Sequence, residues 1–156
     1  MKMKSLQFSA VTTTLAQLTD QELADLHVRI EQEQSERKER VKGEKEMAIM
    51  QYLRTVMPEE ILGEMVLTLE EGVALRVSYL GAVITVSVSI ICVTWLDCGC
   101  TWPFVQYKRQ EGERWVCTKW KGRWNLFSPP RYRKMCDAMT LTKDMLKHHE
   151  ELIKFI

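Results

Sequence analysis

The sequence has few of the residues that mark flexible or disulfide-bonded chains. Seven glycines and four prolines in 156 residues are too few for a collagen-like or low-complexity polymer, and 46% hydrophobic residues are too many for a disordered chain. Five cysteines are an odd number for a secreted scaffold, which would normally pair them all. The basic start at Lys2 and Lys4 precedes an apolar stretch broken by Gln7 and Ser9, unlike an export signal. We therefore expect one folded domain in the cytoplasm.

Motifs for catalysis and cofactor binding are also missing. The chain has no glycine-rich phosphate loop, no His-Glu-x-x-His sequence and no nucleophile elbow. Its three histidines, His27, His148 and His149, have no partner that the sequence identifies as orienting them for catalysis. The sequence therefore predicts a protein that is not an enzyme and needs no cofactor.

A zinc site is the one metal centre that the composition allows. Cys98, Cys100 and the other cysteines could combine with His148 and His149, but no Cys-x-x-Cys pair of the kind found in structural zinc sites is present. Ordinary buried cysteines explain the pattern better. We expect no bound metal.

The net charge of +1 hides a division along the chain. Residues 1–100 contain 10 basic and 15 acidic residues, a balance of −5, whereas residues 101–156 contain 12 basic and 6 acidic residues, a balance of +6. A basic half can approach a polyanion that an acidic half repels. The charge distribution therefore favours a polyanionic ligand for the C-terminal part.

A capping box marks the start of the first helix. Thr19 and Glu22 have the spacing that lets each side chain accept a hydrogen bond from the amide of the other, and Leu18 and Leu23 occupy the positions of a hydrophobic staple. Two apolar stripes at helical spacing follow, separated by the charged residues 31–46: Leu23, Leu26 and Ile30, then Met47, Ile49, Met50, Leu53 and Met57. These features predict one long helix that ends at Pro58. A helical hairpin broken at Gly43 is the alternative, although one glycine costs only about 1 kcal/mol.

The period changes to that of strands in the middle of the chain. Residues 64–72 and 73–81 predict two strands, and residues 82–93 predict a third in which Val86, Val88 and Ile90 alternate with Thr85, Ser87 and Ser89. Residues 77–96 contain no charge and have the length of a transmembrane helix. The alternation and the β-branched residues favour a half-buried strand and no membrane partner.

Three more strands and a closing helix complete the expected fold. Residues 104–109, 114–120 and 123–127 predict the strands, and Ser128-Pro129-Pro130 predicts a helix start. The fold class is therefore α+β, with a long N-terminal helix, an antiparallel sheet of about six short strands and a C-terminal helix. We expect an N-terminal arm over 1–18, a charged helix over 19–57, the sheet over 64–127, and a helix packed on the sheet over 128–156. The sequence does not decide whether this last helix is interrupted at Thr140 to Thr142.

All five tryptophans lie within residues 95–124, and four of them are in the basic half, residues 101–156. Residues 104–134 hold 9 basic and 2 acidic residues interleaved with tryptophan, a composition suited to single-stranded nucleic acid because aromatic faces stack on bases while Lys and Arg contact phosphates. Tryptophans in a small sheet are also common in the core, which is the simpler alternative. The expected nucleic-acid contacts are Lys108, Arg109, Lys119, Trp120, Lys121, Arg123, Trp124, Arg131 and Arg133.

Protein binding is the alternative function. An adaptor or inhibitor, such as a small bacterial or phage accessory regulator, would use the charged helix and the aromatic sheet against another protein. A homodimer would bury Leu23, Leu26 and Ile30, although charged residues interrupt the heptad of a full coiled coil. The stripe could equally pack on the protein's own sheet.

Overall fold

The computed structural model describes residues 18–70, 72–96, 105–110, 114–120 and 129–156. Its elements are helix α1 (Asp20–Val56), helix α2 (Glu59–Gly63), strands β1 (Met65–Glu70), β2 (Ala74–Tyr79), β3 (Ala82–Val86), β4 (Ile90–Trp95), β5 (Val105–Arg109) and β6 (Trp115–Trp120), then helices α3 (Pro129–Lys147) and α4 (His149–Leu152) and the 3₁₀ turn Ile153–Phe155. The fold is α+β, as the sequence predicts. Residue contacts divide the chain into two compact units, Met1–Val41 and Lys42–Ile156.

Helix α1 is continuous, so Gly43 does not produce a hairpin. The capping box forms as predicted: the Thr19 amide donates to Glu22 Oε2 at 2.8 Å, and the Glu22 amide donates to Thr19 Oγ1 at 3.3 Å. The hydrogen bond from Thr19 also holds the pKa of Glu22 below its ordinary value. Farther along, the Arg37 guanidinium lies 2.6 Å from the Glu33 carboxylate, four residues earlier in the helix, a spacing at which side chains of opposite charge meet.

The sheet is a fully antiparallel meander in the order β1-β2-β3-β4-β5-β6. The predicted third strand, residues 82–93, was wrong as a single strand, because it forms the two antiparallel strands β3 and β4 with a turn at Ser87 to Ser89. Val86 is buried while Val88 is exposed, so the two valines do not share one face. The predicted strand at residues 123–127 lies outside the described residues.

The Ser87 hydroxyl explains why this turn was not predicted from the sequence. The Ser87 amide and the Ser87 Oγ each donate to the Ile90 carbonyl, both at 2.9 Å. A serine side chain can close a turn in this way without the Gly, Pro, Asn or Asp that usually marks one. The alternation of apolar and hydroxyl residues therefore runs through the turn unbroken.

The turn from β2 to β3 depends on backbone conformation. Leu80 and Gly81 both have positive φ, 50° and 89°, as a two-residue hairpin turn that follows the twist of the strands requires. Glycine adopts this conformation without strain, whereas leucine does so rarely. Leu80 is half-buried and packs against the core, and this packing offsets the cost of its conformation.

The core lies in the unit Lys42–Ile156, between one face of the sheet and the helices. Helix α3 contacts β3 and β4. Inward-facing residues of the strands meet apolar residues of α1, α3 and α4, among them Ile49, Leu53, Leu69, Leu75, Val77, Ile84, Ile91, Val93, Val105, Met135, Leu141, Met145 and Leu152. Within the predicted stripe of α1, Met47 is the exception, because it is exposed.

Helix α3 runs through Thr140 to Thr142 without a break and ends at Lys147. Thr142 is buried, and its hydroxyl donates to the Ala138 carbonyl one turn earlier at 2.7 Å. A threonine satisfied in this way does not interrupt a helix. The interruption instead falls at His148, before α4. Among the described residues, no helix is long and apolar enough to cross a membrane.

Candidate nucleic-acid interface

A β-bulge in the last strand determines which basic residues share a face of the sheet. Gln106 pairs with Lys119 and Tyr107 pairs with Cys117, so Thr118 is the extra residue on β6. Side chains alternate along a regular strand, and without the bulge Lys119 would lie on the same face as Cys117. The bulge instead places Lys119 on the face of Gln106 and Lys108.

This face is the one opposite the core. Val105 is buried and Tyr107 packs against the core, whereas Lys108, the residue after Tyr107 and therefore on the other face, is exposed. Lys108 pairs with Val116, and Lys119 is two residue pairs away along the strands, opposite Gln106. Strand spacings of about 3.3 Å per residue and about 4.8 Å between strands put the two lysine backbones about 8 Å apart. We call Gln106, Lys108, Val116 and Lys119 the outer basic face.

Arg109 lies on the core side of the sheet instead. Its guanidinium is 3.1 Å from the Glu150 carboxylate, and its side chain is only 23% exposed. Its backbone pairs with Trp115, whose ring meets the His149 ring edge-on at 4.5 Å between centroids. Arg109 therefore belongs to a contact between β5 and α4, apart from Lys108 and Lys119.

The other predicted contact residues fall in three places. Arg133 is exposed on α3, and Arg131 lies two residues before it in the same helix. The backbone of Trp120 ends β6 opposite Val105. Lys121, Arg123 and Trp124 lie outside the described residues. The structure thus brings together Lys108 and Lys119 and separates them from Arg109.

The two tryptophans whose side chains the structure describes, Trp95 and Trp115, both pack in or against the core. Trp95 is buried in the core, so the alternative interpretation of the tryptophans holds for this residue. Trp115 is half-buried, packs against the core and contacts His149. Stacking on bases would therefore depend on the tryptophans near Lys121, as the sequence predicts.

A histidine contact that was not predicted from the sequence joins α4 to the sheet. His149 is buried, and its Nε2 donates to the Ser87 carbonyl at 2.8 Å, because a carbonyl oxygen can only accept. Its Nδ1 is buried and has no hydrogen-bond partner among the described residues. Burial lowers the pKa of His149; the Arg109 cation also lowers it, while the Ser87 hydrogen bond and the Glu150 carboxylate raise it. His149 is therefore a neutral structural residue, and no sequence motif marks it.

The neighbouring His148 makes a second contact. Its Nδ1 lies 2.9 Å from the Tyr52 hydroxyl of α1, and the two rings meet edge-on with centroids 5.9 Å apart. His149 thus contacts the turn between β3 and β4, whereas His148 contacts helix α1.

Metal-ligand clusters do not occur within the described ranges: no three side chains of His, Cys, Asp or Glu gather there in a way that could hold an ion. Cys98 and Cys100, the closest cysteine pair in the sequence, lie outside these ranges.

The predicted self-association residues are accessible, with Leu23 and Ile30 exposed and Leu26 half-buried.

No protein-family model, curated protein or solved structure matches the chain.

Proposed function

We propose that the protein is a non-enzymatic nucleic-acid-binding protein that contacts the phosphates of a single strand through the outer basic face. The observation that carries this proposal is the bulge at Thr118, which aligns Lys119 with Lys108 on the side of the sheet away from the core. Two cations about 8 Å apart on adjacent strands can contact successive or alternate phosphates of an extended strand.

The surrounding charge supports the same ligand. Residues 104–134 have a balance of +7, and helix α3, which begins at Pro129, has Arg131, Arg133 and Lys134 among its first six residues and no acidic residue in its first turn. Cations at a helix N-terminus are repelled by the positive end of the helix dipole. An anionic ligand nearby would relieve this repulsion, which favours a polyanion over a neutral partner.

Binding of a labelled thymidine oligonucleotide at low salt tests the proposal. We expect fluorescence anisotropy to rise on titration with the protein, and inorganic polyphosphate of equal charge to compete less well because it has no bases to stack. Trp124→Ala should weaken oligonucleotide binding by about 1–3 kcal/mol and leave polyphosphate binding unchanged. Absence of oligonucleotide binding at low salt would contradict the proposal, because the phosphate contribution is largest there.

A protein ligand is the second candidate, and the composition of the outer face favours it. Val66 on β1 and Val116 on β6 are both exposed on the side of the sheet away from the core, and on the same side Arg76 on β2 forms an ion pair with Glu70 at 3.0 Å. Exposed apolar residues beside arginine are typical of protein interfaces. A protein ligand would tolerate added salt better than a nucleic acid would, so the salt dependence of binding distinguishes the two.

A further inference from the structure

We infer that two copies of the chain pair through the first half of helix α1, in antiparallel orientation. The inference concerns residues 20–45 alone and is independent of the proposed nucleic-acid interface. It rests on an exposed apolar face of the helix and on the separation of acidic from basic residues along it.

The apolar face extends beyond the stripe found in the sequence. Leu23 and Val41 are eighteen positions apart, five turns of 3.6 residues, so they lie on the same line along the helix. Around the helix axis, Leu26 and Ile30 lie about 60° and about 20° from that line, both on the same side of it. Leu23, Ile30 and Val41 are 38%, 45% and 46% exposed. Val41 thus gives the face a second apolar end, about 27 Å from Leu23 at a rise of about 1.5 Å per residue.

The charges along the same helix determine which orientation fits. Residues 20–36 contain six acidic and one basic residue, a balance of −5, and residues 37–45 contain five basic and two acidic residues, a balance of +3. Parallel copies would place acidic against acidic and basic against basic. Antiparallel copies place the acidic N-terminal end of each segment, with Asp20, Glu22 and Asp25, beside the partner's basic residues 37–45, and such complementarity selects orientation.

One register satisfies both the apolar and the charged residues. With Leu23 opposite the partner's Val41, the twofold axis passes near Gln32. Along the helix axis, Leu26 is then within about 1.5 Å of the level of the partner's Arg37, whose methylene groups can cover it, and Glu22 is within about 3 Å of the level of the partner's Arg40. The apolar end at Leu23 of each helix therefore meets the apolar end at Val41 of its partner. The polar middle of the helix face lies at the twofold axis.

Sedimentation of the full chain tests whether the pair forms. We expect the wild-type protein to be a dimer at high concentration and to dissociate on dilution. Leu26→Glu with Ile30→Glu should give a monomer, because a buried unpaired carboxylate is unfavourable. Val28→Glu is the matched control: Val28 is 61% exposed on the same helix but points away from the line of Leu23, so this variant should remain a dimer.

If the double glutamate variant loses its helical circular dichroism, Leu26→Ala with Ile30→Ala serves instead, since alanine preserves helix propensity. We expect this pair to raise the dimer dissociation constant by at least about tenfold, because four apolar side chains per dimer lose buried surface. A monomeric wild type at all concentrations would overturn the inference, as would equal dissociation by Val28→Glu.

Cross-linking tests the orientation. Chains carrying Leu23→Cys are mixed with chains carrying Val41→Cys and oxidised, and the joined peptides are identified by mass spectrometry. The antiparallel register predicts links between position 23 of one chain and position 41 of the other. Links from 23 to 23 and from 41 to 41 would show a parallel pair and overturn the proposed register.

Discussion

The two halves of helix α1 are stabilised in different ways. From Asp20 to Val41 no residue is buried, whereas in the second half Ile49 and Leu53 are fully buried in the core. The exposed half has the capping box and side-chain pairs four residues apart: Gln21 with Asp25, His27 with Glu31, Gln32 with Glu36, and Glu33 with Arg37. Each such pair contributes only about 0.2–0.5 kcal/mol. Local interactions thus stabilise the first half of the helix, whereas packing against the core stabilises the second half.

The largest expected effect compares one substitution in each half. Leu53→Ala should lower the free energy of unfolding by about 2–5 kcal/mol, because it leaves a cavity in the core. Val28→Ala should change it by less than about 0.5 kcal/mol, since an exposed valine loses little contact and alanine is the better helix former. Urea unfolding followed by circular dichroism measures both. A large loss for Val28→Ala would show that the first half is packed after all.

An edge contact should give the next largest effect. Glu46 in the second half of α1 accepts a hydrogen bond from the Leu69 amide on the edge strand β1, at 2.7 Å to its Oε1. Removing this acceptor by Glu46→Ala should cost about 1–3 kcal/mol, because the strand amide loses a charged partner. Glu46→Gln keeps an acceptor and should cost less. Glu44→Ala, at an exposed position of the same helix, is the control.

The Glu46 contact has a further consequence for association. An edge strand with unpaired amides can add a strand from another molecule, and the carboxylate occupies one of these amides. Light scattering of the Glu46→Ala protein over time should therefore show more aggregation than that of Glu44→Ala. Equal aggregation of the two variants would show that the edge is protected by other means.

The histidine contact at α4 predicts a smaller, pH-dependent effect. Because burial holds the pKa of His149 below its ordinary value, the unfolded chain takes up a proton more readily than the folded one. The free energy of unfolding should be independent of this group above about pH 6.5, the ordinary histidine value, and should decrease as the pH falls from there to the folded-state pKa. Stability is thus lost on acidification.

His149→Gln should reduce this decrease, while His27→Gln, on the exposed half of α1, controls for the removal of a histidine. Denaturant unfolding at a series of pH values measures the slopes. Equal slopes for the wild type and His149→Gln below about pH 6.5 would show that His149 does not contribute.

The sequence predicted the features that depend on residues close together in the chain. The capping box at Thr19, the continuous helix past Gly43 and most of the antiparallel strands follow from local spacing and period. The split of residues 82–93 was not predicted, because the Ser87 hydroxyl closes a turn that leaves the alternation intact. The short helix α2 after Pro58 was missed for a similar reason, since five residues carry too little periodic signal.

The candidate site was less predictable than the fold. Basic composition identified Lys108, Arg109 and Lys119 together, but a count of charges does not show which side of a sheet each residue faces. The bulge at Thr118 is an irregularity that no glycine marks in the sequence. The ion pair of Arg109 with Glu150 joins residues that are far apart in the sequence. They separate Arg109 from the two lysines.

The salt dependence of oligonucleotide binding tests the central claim most directly. For single strands, each phosphate contact contributes about 0.7 to the slope of the logarithm of affinity against the logarithm of salt concentration. Lys108→Ala with Lys119→Ala should therefore lower the slope by about 1.4 relative to the wild type, with the free energy of unfolding nearly unchanged. Lys143→Ala, an exposed lysine on α3, should leave the slope unchanged. A double variant with the wild-type slope would contradict the account, because the outer basic face would then make no phosphate contacts.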